Sequence, residues 1–73
     1  DLERRLGEVV KEACSRYGYG GMRLSQERGG YVVNVSLRRF HGNPRDLSEE
    51  LYVEAVSHFP ELSNRLRFWI DRR

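Results

Sequence analysis

Cys14, His41 and His58 are the side chains best suited to nucleophilic, acid–base or soft-metal chemistry, and their placement supports none of the three. A reactive cysteine needs a base or positive charge beside it to lower its pKa. Cys14 instead stands next to the apolar residues of a helix-like stretch, where a packing role is expected. One cysteine and two scattered histidines lack the ligand spacing of a zinc site. His41 falls in a loop-like segment. His58 falls near a helix end, where a protonated ring suits the negative pole of the helix dipole. Glu49, Glu50, Glu54 and Glu61 are the remaining candidates. Glu50, Glu54 and Glu61 are read onto one helix face, but paired carboxylates act as acid and base only inside a cleft that raises one pKa. The expectation is a solvated acidic face able to dock a basic one. The sequence therefore predicts no catalytic residue, no metal site, no cofactor and no enzymatic activity.

Gly18-Tyr19-Gly20-Gly21 has the glycine content of a phosphate cradle. Such cradles follow a strand and open a helix, whereas here a helix-like stretch precedes and a strand-like one follows. The spacing matches the GxxG of KH domains in letters only, since that loop joins two helices. A connector is expected.

The arginines carry more weight. Arginine is twelve of the thirteen basic residues, and it pairs bidentately with carboxylate or phosphate and stacks on aromatics better than lysine does. Arg28, Arg38, Arg39 and Arg45 gather around a predicted hairpin, with Tyr19, Tyr31 and Phe40 among them. Arg65, Arg67, Arg72 and Arg73 would add a second basic edge. Single-stranded RNA is commonly held in this way, with aromatics stacking on bases and arginines tracking phosphates. Against that, a net charge of +2 is low for a nucleic-acid binder, and the aromatic motif of an RNA-recognition sheet is absent. Trp69 points elsewhere. On a strand it cannot share a face with Phe68, so one of the two is exposed, and exposed aromatics anchor protein interfaces. The residues expected to meet a protein partner or RNA are Arg28, Tyr31, Arg38, Arg39, Phe40, Arg45, Arg67 and Trp69.

The elements that must position these residues follow from periodicity. Leu2, Leu6, Val9, Val10, Ala13 and Tyr17 recur at helical spacing, predicting a helix over 2–17 that a glycine at 18 or 20 stops. Met22 to Glu27 alternates weakly. Arg28-Gly29-Gly30 is a turn. Tyr31 to Phe40 alternates strongly, with Tyr31, Val33, Val35 and Leu37 on one side and Val32, Asn34, Ser36, Arg38 and Phe40 on the other. A second helix is expected from Asp46 or Ser48, with Asp46 and Glu49 as a capping pair, and Pro60 ends it. Its apolar face is Leu51, Tyr52, Ala55, Val56 and Phe59. Residues 61–73 fit either a strand or a helix. The strand is preferred, because aromatic and β-branched residues favour it and two strands are rarely stable alone. The predicted fold is a small α+β domain over 1–73, a single-layer antiparallel sheet with two helices packed on one face, in the order α-β-β-α-β; α-β-β-α-α is the alternative.

Size and charge add bounds. A chain of 73 residues buries only about 60% of its unfolded surface, so association with another chain is a natural source of stability. The chain starts at Asp1 and is expected to be a domain of a larger protein. Residues 46–61 hold five acids and no Lys or Arg, while 18–45 hold five arginines and one acid. No apolar run is long enough to cross a membrane, and a cytoplasmic setting is favoured.

The predicted order resembles several small modules: ring-building domains of secretion systems, C-terminal domains of cation-efflux transporters, the N-terminal domain of a ribosome maturation factor, and KH-like folds. The likeness is one of topology and segment length. These modules bind or oligomerise and do not catalyse, so the resemblance implies an interaction or oligomerisation module, with protein or a second copy as partner. RNA binding through the arginines and aromatics of the hairpin is the alternative.

Overall fold

A computed structural model of the chain describes residues 1–72, which leaves Arg73 of the expected basic edge outside the described residues. The order is α-β-β-α-β: α1 over Leu2–Ala13, β1 over Tyr19–Glu27, β2 over Gly30–Leu37, α2 over Pro44–His58 and β3 over Leu66–Arg72. The ambiguous last segment is a strand, with helical character confined to a 3-10 turn at Pro60–Leu62.

The sheet runs β1-β2-β3. β1 and β2 form the expected antiparallel hairpin, closed by Arg28-Gly29 with Gly29 at a φ of 76°. β3 lies parallel to β2, so the sheet is mixed where a wholly antiparallel one was expected. The physical reason is the connection. A helix packed on one face carries the chain back along the sheet, and the next strand then runs in the first strand's direction.

One face of the sheet holds the core. Val33, Val35 and Leu37 of β2 are fully buried there, against Leu6, Val10 and Cys14 from the first helical segment and Leu47, Leu51, Ala55 and Phe59 from the second. Leu66 and Phe68 of β3 join them, and Met22, Leu24 and Ile70 pack at the margin. The alternation read along Tyr31–Leu37 selected the right face, because burial of one side of a pleated strand sets its register.

Local chemistry explains the element ends, and in three places it corrects the expectation. α1 stops at Ala13, and a 3-10 turn over Ser15–Tyr17 leads to Gly18 at a φ of 70°. Strand β1 then begins at Tyr19, so three of the four residues read as a connector belong to the sheet, with a bulge between Tyr19 and Gly21. α2 begins at Pro44. Its cap is Asn43, whose Oδ1 accepts from the amides of Arg45 at 2.8 Å and Asp46 at 3.4 Å. Proline at the first helical position lacks an N–H that would go unpaired there, and an asparagine cap before it outcompetes the Asp46 pattern.

Two contacts fix β3 beside β2. The Tyr31 amide donates to the Arg65 carbonyl at 2.8 Å. A Cβ at Gly30 would overlap that same carbonyl, so glycine is required there for close approach. The Tyr52 hydroxyl of α2 accepts from the Asn64 amide at 2.8 Å, which pins the turn before β3 to the helix.

Candidate functional site

Because both helices cover one face, the other is open. Register places its residues in rows across all three strands. Arg23, Asn34 and Trp69 form one row, Ser25, Val32 and Arg67 the next, and Gly21, Ser36 and Asp71 a third. Trp69 is 59% exposed, a large indole in the middle of an edge strand with arginines at its own row's far end and beside it in β3. Val32 is buried although no helix covers it. It sits on the central strand, flanked by Ser25 and Arg67.

The eight residues expected at the site do not assemble into one surface. Arg67 and Trp69 share the open face. Arg45, in the first turn of α2, lines a groove with Pro44, Ser48 and the β3 residues Arg67 to Ile70. Arg28 caps the hairpin tip, near Arg65 and Arg67. Arg38 and Arg39 lie past the other end of β2, where their amides donate to the carbonyls of Gly18 at 3.0 Å and Tyr17 at 2.9 Å. The eight residues of β2, at about 3.3 Å each, hold these two arginines roughly 25 Å from Arg28.

Two of the expected aromatics turn inward. Phe40 is buried at 8% exposure and meets Tyr17 edge-to-face, with centroids 5.0 Å apart. β2 ends at Leu37, and beyond it the alternation that assigned Phe40 to the outer side no longer applies. Tyr31 is half-buried on the core side. Arg23, by contrast, belongs to the open face and was missed. Its position opposite Met22 and Leu24 in the weak alternation of β1 was the signal available.

Two of the acidic residues of α2 lie close to positive charge. Glu50 and Glu54 face a groove between the helices that also holds Glu8, Glu12, Arg5 and Arg16. The His58 Nε2 lies 3.2 Å from Glu54, both half-exposed. Glu61 falls in the 3-10 turn beyond α2 and off that groove. Arg5 stacks over Phe59, 5.1 Å from its centroid. The groove thus mixes both signs.

Cys14 is fully buried in the core, and burial pushes its thiol up to about 11, away from the thiolate that nucleophilic chemistry needs. Burial, and secondarily the nearby Cys14, raises Tyr19. The Asn64 amide and then the Ser63 hydroxyl lower Tyr52. Among the described residues no group of three His, Cys, Asp or Glu side chains is placed to hold a metal ion, and no helix is long and apolar enough to cross a membrane.

No family model matches the chain, and no curated protein matches its sequence.

Proposed function

We propose that this domain is a non-enzymatic protein-interaction module that engages its partner through the open sheet face and the adjoining edge of β3. The observation that carries this reading is Trp69. A tryptophan left 59% exposed on a rigid strand brings a large apolar area and little conformational entropy to lose on binding, which is the profile of an interface anchor. Arg67 beside it and Arg23 across the sheet supply a polar rim that orients an acidic or hydrogen-bonding partner.

RNA binding is the competing reading, and Trp69 among arginines is the feature that favours it. Its support is narrower than the sequence suggested. Of the three aromatics expected on the hairpin, Phe40 is core, and Tyr19 and Tyr31 pack against that core. Among the described residues Trp69 is the one aromatic on the open face, whose ends carry Glu27 and Asp71.

A photoreactive benzoylphenylalanine in place of Trp69, irradiated in cells that make the protein, tests the reading. The expected adduct is with protein and disappears on protease treatment. An adduct removed by ribonuclease, or no adduct at all, overturns it.

A further inference from the structure

The two edges of the sheet are built differently. β1 is blunted. A bulge interrupts it between Tyr19 and Gly21, and Glu3 of α1 reaches over its outer edge to accept from the Leu24 amide at 3.4 Å. β3 carries neither device. Its register with β2 runs unbroken from Leu66 to Arg72, and its core-side residues Leu66, Phe68 and Ile70 are apolar. Parallel pairing fixes which main-chain groups it leaves free. The Tyr31 amide bonds the Arg65 carbonyl, so Arg67, Trp69 and Asp71 bond toward β2, and the N–H and C=O groups of Leu66, Phe68 and Ile70 turn outward. The groove between this edge and Pro44, Arg45 and Ser48 of α2 is lined by β3 residues of both faces, Arg67 and Trp69 from one and Phe68 and Ile70 from the other. The helix therefore leaves the edge accessible. Exposed edges of this kind template pairing with another strand.

The occupant is written in β3 itself. Its sequence, Leu66-Arg67-Phe68-Trp69-Ile70-Asp71-Arg72, is self-complementary about Trp69. Turned antiparallel on a second copy with the dyad at Trp69, it sets Phe68 against Ile70 on the core side and Arg67 against Asp71 on the open side. Each pair occurs twice by symmetry. The outward-facing Phe68 and Ile70 fall in the hydrogen-bonded positions, and the two Trp69 side chains meet in the non-bonded position on the dyad. Opposite charges and apolar pairs directly across strands are the contacts that stabilise sheets. We infer that the partner of the β3 edge is a second copy of this chain, joined by antiparallel β3–β3 pairing into one continuous six-stranded sheet with all four helices on the same side. An isologous contact of this form closes on itself and gives a dimer rather than a fibre. This inference rests on the interaction reading and names its partner.

Sedimentation of the purified domain at low and high concentration reads the dimer directly, and charge exchange reads the register. Arg67→Asp and Asp71→Arg each create two like-charged pairs and are expected to weaken the dimer roughly tenfold or more. The double variant, Arg67→Asp with Asp71→Arg, restores opposite pairs and is expected to recover most of the loss. Trp69→Cys places two thiols about 4.5 Å apart at the Cα atoms, within disulfide reach, and is expected to cross-link on mild oxidation. Arg67→Cys faces Asp71 of the second copy rather than its own equivalent and is not. A mass that stays monomeric at high concentration, a double variant no better than either single one, or cross-linking by Arg67→Cys in place of Trp69→Cys overturns the inference. Should the chain stay monomeric while a photoprobe at position 69 still labels a different protein, the interaction reading stands and only the second copy is refuted. Labelling of RNA refutes the interaction reading, while a monomeric mass is what refutes the second copy.

Discussion

Replacing Gly30 by alanine separates two accounts of why β3 lies where it does. The φ of Gly30 is outside the left-handed region, so alanine meets no backbone penalty of its own. It meets the Arg65 carbonyl instead, with the Arg65 carbonyl carbon at 2.9 Å and the Cα at 3.1 Å from the new methyl group. These are backbone atoms, which cannot swing aside as the end of a side chain can. Relieving the overlap costs about 1–3 kcal/mol by the standard of overpacked sites. Moving Arg65 also breaks the Tyr31–Arg65 hydrogen bond, worth about 1 kcal/mol at a half-buried position. The sum is about 2–4 kcal/mol, against a total of roughly 4–11 kcal/mol for a domain of this length. With a urea slope near 1 kcal/mol per molar for a small protein, the unfolding midpoint is expected to fall by about 2–4 M. Amide exchange localises the damage: Tyr31 and the β3 amides that bond β2 should lose protection before the β1–β2 hairpin does. Gly29→Ala is the control. Its φ of 76° makes alanine strained, but nothing lies within 4 Å of the new Cβ, so a smaller loss spread over the hairpin tip is expected. If Gly30→Ala is as stable as the parent and Tyr31 stays protected, the close approach of β3 to β2 is not what requires glycine, and the argument for a rigidly placed Trp69 fails with it.

Other perturbations carry their own signs. Gly7→Ala is expected to stabilise the domain by about 1 kcal/mol, because the added methyl finds only Met22 Sδ at 3.9 Å; thermal unfolding should move up by about 4–8 °C. Asn43→Ala removes the acceptor for two α2 amides and should cost about 1 kcal/mol in urea unfolding. Cys14 has a folded pKa raised from 9.0 to about 11. Its stabilising contribution is therefore complete below pH 9 and lost as pH climbs from about 9 to 11, by at most about 2–3 kcal/mol. Tyr19, also raised by burial, steepens that alkaline limb, and the lowered Tyr52 opposes it. Cys14→Ala should flatten the limb in unfolding measured between pH 8 and about 11, and a thiol reagent should label Cys14 only as fast as the chain opens.

The order of elements was legible in the chain because each carries a local period. Val33, Val35 and Leu37 alternate, Leu6 and Val10 recur at helical spacing, and Pro60 and Gly18 break what precedes them. Those are short-range properties, and burial of a single face converts them into a layer of helices on a sheet. Which way β3 runs is a long-range property. It depends on where α2 lies, and no pattern within residues 66–72 records it. The same limit governed the site. Arg28 and Arg38 are ten positions apart in sequence and stand at opposite ends of a strand, while Arg23, Asn34 and Trp69, distant in sequence, share one row. Phe40 looked like a surface aromatic by parity and became core once the strand ended before it. Residue types and periods thus determined that one sheet face would be buried and that either Trp69 or Phe68 would be left out. Only packing of the helices decided that Trp69 is the one exposed, since facing is settled by which side of the sheet the rest of the chain comes to cover.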